Sequence, residues 1–324
     1  MGIVLTNAGP ISTIQDGGRA GYMAFGFQES GAMDKKAFNT ANILVKNPRD
    51  EAAIEMTLMG ISGEFTSDAV IAFTGADIQP KINGESAPRY QAVKARKGDV
   101  LTTSFATTGC RAYLAVHGGF YLKKVMDSYS TNVKCKIGGY MGRPLLNGDL
   151  LYFNTVEPKL SDEEISMRRA DIPECVASPV LVRVLLGLQE DYFTKKGIET
   201  FFSSEYKVTN DSDRMGIKLD GEGIESKNGV DIISDGIPLG AVQIPASGKP
   251  IIMMADRQTV GGYAKIGAVV SADICVMAQL KPGDSLRFVQ VTLKEAKDSY
   301  IKRLNELDEL ERKVEKKKGF LWRK

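Results

Sequence analysis

Short apolar runs, each closed within a few residues by a turn-former, recur along this chain and leave little room for long helices. Ala69-Val70-Ile71-Ala72-Phe73, Ala112-Tyr113-Leu114-Ala115-Val116, Val180 to Leu186 and Ile251-Ile252-Met253-Met254 are examples. Runs of roughly four to eight apolar residues bounded by Gly, Pro, Asn or Asp have the length and punctuation of β-strands. Glycine, at 33 of 324 residues, exceeds its usual share of about 7% and supplies the turns. A mainly β fold follows. The length is more than one domain of ~100–200 residues usually holds, so two domains are expected.

An internal echo sharpens that reading. Gly98-Asp99-Val100-Leu101, Gly148-Asp149-Leu150-Leu151-Tyr152-Phe153 and Pro282-Gly283-Asp284-Ser285-Leu286-Arg287-Phe288 each place a Gly-Asp turn before alternating apolar residues. Such turns feed the strands of antiparallel barrels and sandwiches. A polar stretch from Asn154 to Pro179, with the acidic run Asp162-Glu163-Glu164, reads as the boundary. The expected organisation is a β-rich domain over 1–155, a linker over 156–177, a β-barrel domain over 178–290 and a basic tail over 291–324.

Two helices are expected before the tail: Lys35 to Val45, capped by Asp34, and Glu190 to Lys196, ended by Gly197. In the tail, Leu293, Tyr300, Leu307 and Val314 fall seven apart, with Ala296 and Leu310 in partner positions. Arg303 interrupts the series and Leu304 substitutes beside it. That spacing predicts an amphipathic helix docked on this chain or on a second copy, with 319–324 loosely held. From Lys294 to the end there are 11 basic and 7 acidic residues, a net +4. The lysines Lys316-Lys317-Lys318 suit a helix C-terminus through the macrodipole.

Charge and residue usage exclude several function classes. Lys and Arg total 42 against 40 Asp and Glu, which argues against a protein built to hold nucleic acid. The single histidine, His117, rules out multi-histidine zinc sites and leaves any Ser-His-Asp triad one candidate. It ends an apolar strand and reads as structural. The four cysteines never form C-x-x-C and read as buried small residues in a reducing, cytoplasmic compartment. No signal peptide is evident, and Ile266 to Leu280 is too short and too polar to span a membrane. Met1-Gly2 with Thr6 fits a myristoylation pattern, but Ile3-Val4-Leu5 reads as a first strand.

Two familiar motifs are only approached. Ser247-Gly248-Lys249-Pro250 lacks the spacing and hydroxyl of a P-loop, so any ATP is not bound that way here. Asp211-Ser212-Asp213-Arg214-Met215-Gly216, with Glu222 at the twelfth place, mimics a calcium loop. Met215 stands where an oxygen ligand belongs and the flanks are strand-like, so a polar hairpin pointing Arg214 into a site is expected and no metal.

The chemistry concentrates in loops where Gly, Arg, Gln and Asp crowd together. Thr13-Ile14-Gln15-Asp16-Gly17-Gly18-Arg19-Ala20-Gly21-Tyr22 offers glycine turns and, in Arg19, a planar fork for carboxylate or phosphate. Its alternative is a structural turn in which Asp16 pairs with Arg19. A second stretch carries Gln243, then Asp256, Gln258, Thr259, Gly261, Gly262, Tyr263 and Lys265, polar groups on turns between apolar strands.

These stretches, with Ser30-Gly31-Ala32-Met33-Asp34, Thr74-Gly75-Ala76-Asp77, Arg111 to Gly119, Asp213-Arg214-Met215-Gly216, Gln243-Ile244-Pro245 and Ala278-Gln279-Leu280-x-Pro282-Gly283-Asp284, occur in one order. The set resembles the biotin-dependent carboxyltransferase family, also called allophanate hydrolase subunit 2, over about residues 3–290, the tail excepted. The resemblance implies a cyclophilin-like β-barrel and a B-type partner of related fold. It also implies one of three activities. The first is the C-type component of an ATP-dependent 5-oxoprolinase, working with A- and B-type subunits to open 5-oxo-L-proline to glutamate. The others are a urea-carboxylase-like component served by biotin in trans, and a non-enzymatic antagonist of a kinase inhibitor. No Ala-Met-Lys-Met site for covalent biotin is present. Under the first reading Arg19, Arg214 and Lys265 hold substrate carboxylate or developing phosphate charge. Asp16 or Asp256 then serves as general base, and Gln15, Gln243 and Thr259 orient the ring amide beside Gly261, Gly262 and Tyr263.

Overall fold

The strand-forming runs assemble into two units in a computed structural model, which describes residues 1–154, 160–173, 178–187 and 189–315. The first unit comprises Met1–Gly18, Asp34–Glu174 and Leu304–Lys324; the second comprises Arg19–Met33 and Cys175–Arg303. Residues 19–33, counted with the N-terminal domain in the sequence, therefore cluster with the second unit. Both ends of the expected 156–177 linker lie outside the described residues.

The first unit holds two antiparallel sheets. One runs Leu150–Tyr152, Gly2–Asn7, Ser62–Phe65, Val100–Thr102, Lys81–Ile82, Glu85–Ser86; the other runs Ile11–Gln15, Ala53–Thr57, Arg111–Val116, Ala69–Gly75, Ala92–Ala95. Ile3, Leu5, Phe65, Leu101, Ile54, Ile71, Phe73, Leu114 and Val116 share one core. Arg111–Val116 is buried at every position, which explains its unbroken apolar sequence. Ala112, Leu114 and Val116 enter that core, and the alternate residues meet the helix Lys35–Leu44. Phe38 of that helix packs edge-on against Tyr113 at 6.0 Å. The helix begins as expected, with Asp34 Oδ1 accepting from Ala37 N at 2.9 Å.

The second unit is built on a closed seven-strand barrel. Around it run Val180–Leu186, Lys265–Val269, Ala241–Gln243, Ile251–Met253, Gly216–Asp220, Glu205–Val208 and Ser285–Gln290. The first and last pair in parallel and close the ring. Val182, Val184, Tyr206, Ile217, Ile252, Ile266, Leu286 and Phe288 fill it. A separate two-stranded arm joins Asp231–Gly236 to Val260–Tyr263.

The three Gly-Asp echoes are one device used three times. Gly98, Gly148 and Gly283 have φ of 90°, 88° and 94°, the left-handed side open to glycine. Each following aspartate accepts the amide three residues earlier: Asp99 from Arg96 at 2.7 Å, Asp149 from Leu146 at 2.8 Å, Asp284 from Lys281 at 3.0 Å. Each glycine N–H and aspartate C=O then grips one residue of a neighbouring strand: Phe65, Leu5 and Val208 respectively. The device occurs in both units.

The helices depart from the sequence reading. The segment expected over Glu190 to Lys196 is a 3₁₀ turn at Glu190–Tyr192 followed by a helix over Lys195–Ser203. Thr194 caps that helix by accepting from Gly197 N at 2.9 Å, so Gly197 opens it instead of ending it. A Cβ on Gly197 would come within 2.2 Å of Glu225 O, so this glycine serves close packing. The acidic run taken for linker is a helix, Asp162–Met167, started by a Ser161/Glu164 capping box. Ile274–Gln279, inside the last apolar stretch, is helical as well.

The tail forms a helix over Leu293–Glu315. Leu307 is its buried anchor, at 4% exposure. Around it Lys36 pairs with Glu306 at 2.7 Å, and Arg49 reaches Asp308 at 2.7 Å and Glu311 at 2.5 Å. Arg303 does not interrupt the packed face. Its guanidinium donates to Ser271 O at 2.7 Å, while Leu304 stays over one-third exposed. Residues 316–324, with the lysine run, lie outside the described residues. Cys110 and Cys275 are buried, but Cys135 is exposed because it sits in a polar turn; Cys175 is not among the described residues.

Candidate functional site

Arg214 follows Asp213, whose carboxylate accepts from Met215 N at 2.7 Å and Gly216 N at 3.1 Å. That side-chain turn sits ahead of the strand Gly216–Asp220 and occupies the calcium-loop mimic. It delivers Arg214 onto Asp256, Nε to Oδ2 at 2.9 Å and Nη2 to Oδ1 at 3.1 Å, and Nη2 also reaches Gly31 O at 2.7 Å. The segment 19–33 is laced to the same loop. Ser30 N donates to Ala255 O at 3.1 Å, Gln28 Nε2 to Asp256 O at 2.8 Å, and Arg257 pairs with Glu29 at 3.1 Å. Arg19 lies in this segment with its side chain fully buried and its amide donating to Glu29 O at 2.6 Å. Its fork therefore addresses the interior.

Gln243 and Lys265 stand opposite each other on neighbouring barrel strands. Gln243 is 2% exposed, and its Nε2 has no hydrogen-bond partner among the described residues. The Lys265 ammonium is buried, 3.1 Å from Asp235 Oδ2. That is an ion pair without a well-directed hydrogen bond. The pairing holds the Asp235 carboxyl below the usual range, helped by the Gly236 amide. Gly261, Gly262 and Tyr263 lie on the arm, and Thr259 O accepts from Ile237 N at its base.

Gln15 and Asp16 are held in the first unit. Asp16 accepts from Gly18 N at 2.9 Å, Ser128 Oγ at 2.7 Å, Tyr129 N at 2.6 Å and Ser130 Oγ at 2.5 Å. Four donors on one carboxylate make it the anchor of the irregular 118–148 loop. Gln15 is fully buried and donates to Thr13 Oγ1 and Thr131 O, extending the same lacing. His117 Nδ1 donates to Val45 O at 2.7 Å, a structural bond. Sequence reasoning passed over Glu51, whose Oε1 accepts from Ala52 N at 3.0 Å beside Gly119. Burial raises its carboxyl pKa, and Asp50 and Asp16 add to the rise while Ala52 N and Lys124 oppose it. Two glycines before a loop, Gly118-Gly119, were the available signal.

A nucleotide site does not fit the P-loop-like segment. Gly248 N donates to Pro245 O in a tight turn that leads into the strand Ile251–Met253, and Lys249 pairs with Asp220. A phosphate cradle requires a helix N-terminus at that point. Among the described residues no group of three or more His, Cys, Asp or Glu is arranged to hold a metal ion, and no helix is long and apolar enough to cross a membrane.

Comparison with known proteins places this geometry in a family. The chain is 36% identical to the C component of the 5-oxoprolinase of Haemophilus influenzae, covering 94% of this chain and 96% of that one. It is 34% identical to the C component of the Escherichia coli 5-oxoprolinase, over 90% and 92% respectively. The fold superposes on the crystal structure of Kluyveromyces lactis urea carboxylase with a TM-score of 0.87 and 27% identity, across 95% of this chain and 29% of that one. Residues 25–290 match the carboxyltransferase domain, subdomain A and B, and on these matches the chain belongs to that carboxyltransferase family.

Proposed function

We infer that this chain is the C-type subunit of an ATP-dependent 5-oxoprolinase, opening 5-oxo-L-proline to L-glutamate with A- and B-type partners. The observation that carries the reading is the match to 5-oxoprolinase C components along nearly their whole length. The chain and its Haemophilus influenzae relative match nearly end to end, 94% and 96%, whereas it spans only 29% of the urea carboxylase.

The chemistry is consistent with a shared site. An unstrained lactam resists hydrolysis because its amide is planar and resonance-stabilised. Phosphorylating the lactam oxygen with ATP makes the ring carbon electrophilic. Water adds there and the C–N bond breaks, the nitrogen leaving as an amine and the carbon remaining as an acyl phosphate, which a second water hydrolyses to the carboxylate and phosphate. Among the described residues the P-loop-like segment builds no phosphate cradle; ATP is read as a substrate of the assembled complex, and no covalent biotin on this chain is invoked. The barrel is read as cyclophilin-like, and the complex as cytoplasmic. Within the second unit Lys265 and Arg214 supply positive charge, Gln243 and Thr259 orient the substrate, and Gly261, Gly262 and Tyr263 shape the arm, while the buried Gln15 and Arg19 hold their own loops in place. Asp256 works through Arg214, and Asp16 through the loop it anchors.

The test is reconstitution. Purified chain alone should release no glutamate from 5-oxo-L-proline and ATP, and adding A- and B-type subunits should start turnover. Robust ATP-coupled turnover by the isolated chain, or turnover of urea with a biotin carrier in place of the lactam, would overturn the reading.

A further inference from the structure

A cleft of about 550 Å³ opens in the first unit between the strand Ala92–Ala95 and the helix Asp162–Met167. That volume lies in the range of ~300–1,000 Å³ usual for binding clefts. Pro88, Val93 and Ile165 give it an apolar side, and Asp99 and Asp162 line it as well. Ala92–Ala95 is the edge strand of its sheet. Ala92 N donates away from that sheet, to Arg168 O at 2.9 Å, and Val70, the register partner of Lys94, turns its carbonyl to His117 N. The Lys94 amide and carbonyl, two residues on from Ala92, therefore face outward too, on the side of the cleft. Native proteins usually cover an edge of this kind.

The tail helix Leu293–Glu315 ends beside this cleft. The carboxylates of Glu315 and Glu164 both act on the Arg168 guanidinium. Arg168 is fixed in place, with Nε donating to Leu44 O at 2.6 Å and its own carbonyl holding Ala92 N. Nine residues of sequence follow Glu315: three lysines, Gly319, the run Phe320-Leu321-Trp322, then Arg323 and Lys324. Five residues of extended chain span at most about 17 Å, which carries Phe320 from the helix end past Arg168 to Ala92. The segment has five basic residues and no acidic one, whereas the helix beside the cleft opens with Asp162, Glu163 and Glu164. Asp162 is taken by Lys94 at 3.1 Å, and Glu163 is exposed with no ion-pair partner among the described residues. Three adjacent large apolar side chains favour any neighbouring apolar wall over water.

We propose that Phe320-Leu321-Trp322 of this same chain occupies the cleft between Ala92–Ala95 and Asp162–Met167. Its apolar side chains lie on Pro88, Val93 and Ile165, and the outward Lys94 backbone groups bond to it. Its basic residues meet Glu163 and Asp99, and the Arg96 guanidinium, which also lines the cleft, offers a cation to the indole face. The tail is then anchored twice, at Leu307 and beyond Glu315.

Trp322 is the only tryptophan in the sequence, so its fluorescence in the full-length chain reports on the segment directly. Its emission should lie to the blue of that of a free peptide of residues 316–324, and acrylamide should quench it less, at every protein concentration. The Lys94 amide should exchange slowly in the parent. It should speed up in the double variant Phe320→Ser, Trp322→Ser, while Arg111–Val116 keeps its protection. Ser166→Lys adds bulk and positive charge at an exposed position lining the cleft. It should return Trp322 to peptide-like quenching, again with Arg111–Val116 protected. Peptide-like quenching in the parent, shielding that survives Ser166→Lys, or a Lys94 amide indifferent to the double variant would overturn the proposal. Shielding lost on dilution would overturn it too, because the occupant would then be the tail of a second copy.

Discussion

Arg214 and Asp256 meet through two contacts, Nε to Oδ2 at 2.9 Å and Nη2 to Oδ1 at 3.1 Å, and the same Nη2 donates to Gly31 O at 2.7 Å. Both side chains are largely buried. Removing one partner of such a pair strands a charge, at about 3–5 kcal/mol when burial is complete. Asp256→Ala is therefore expected to lower the thermal midpoint clearly, by an amount worth about 2–4 kcal/mol. Arg214→Lys should retain the charge but lose the fork and the Gly31 contact, with a smaller drop. Loss of turnover in Asp256→Ala with an unchanged midpoint would instead make Asp256 a direct general base.

Asp16 has a different job. Its carboxylate has four donors, two of them hydroxyls of the 118–148 loop. Asp16→Asn turns one acceptor into an NH₂ group facing a donor, so the loop should loosen at a cost of about 1.5–3 kcal/mol. Amide exchange at Tyr129 and Thr131 should accelerate more than exchange in Arg111–Val116. Equal protection in variant and parent would remove the anchoring role.

Glu51 and Asp149 should show opposite pH behaviour. Burial raises the Glu51 pKa in the folded state, so folding is penalised once pH climbs through the ordinary carboxyl range and above. Glu51→Gln should stabilise the protein at pH 7, and the gain should vanish well below pH ~4. The Arg143 fork, partly offset by desolvation and aided by the Leu146 amide, lowers the Asp149 pKa. Its stabilisation is present above about pH 4 and fades as pH falls through the depressed folded value. Asp149→Asn should be destabilised at pH 7 and should approach the parent in strong acid. Thermal melts across about pH 2.5 to 7 check both signs.

What the sequence disclosed follows the range of the forces involved. The Gly-Asp turns were legible because a left-handed glycine and an aspartate reaching three residues back are local. Apolar punctuation likewise marked strands such as Arg111–Val116. Helix starts were missed where a cap competed with stronger-looking neighbours: Thr194 lay inside a presumed helix, and Ser161/Glu164 lay inside a presumed linker. Ile274–Gln279 is buried on most sides and so shows no period. The candidate site was legible as residue types on loops, but not as pairs. Arg214 and Asp256 are 42 positions apart, and the placing of Gln243 opposite Lys265 depends on strand register in the barrel.

The repeated turn can be tested by substituting its glycine. Gly98 and Gly148 have nothing within 4 Å of where a Cβ would stand, but φ near 90°. Alanine there meets only the left-handed backbone penalty, about 1–2 kcal/mol. Gly223 also has open space around it, with φ outside the left-handed range, and Gly223→Ala should be neutral or stabilising by up to about 1 kcal/mol. Equal effects at Gly148 and Gly223 in urea melts would show that the turn conformation carries no energetic weight.

The tail helix supplies the last prediction. A free helix of this length is marginal in water, so its order must come from what it touches. Leu307 is its one buried apolar side chain, and it lies between the Lys36–Glu306 pair and the Arg49 contacts to Asp308 and Glu311. Those pairs are half-exposed and should contribute little singly, about 0–1 kcal/mol each. The apolar contact should therefore dominate, and Leu307→Ala should cost about 2–3 kcal/mol of local docking free energy. Arg49→Ala should cost less, and more at low salt than at high. Hydrogen exchange from Tyr300 to Leu310 reads this directly: protection in the parent, near-peptide rates in Leu307→Ala, and an intermediate, salt-dependent rate in Arg49→Ala. Rates that do not change in Leu307→Ala but collapse in Arg49→Ala would show that ion pairs, not burial, hold the helix in place.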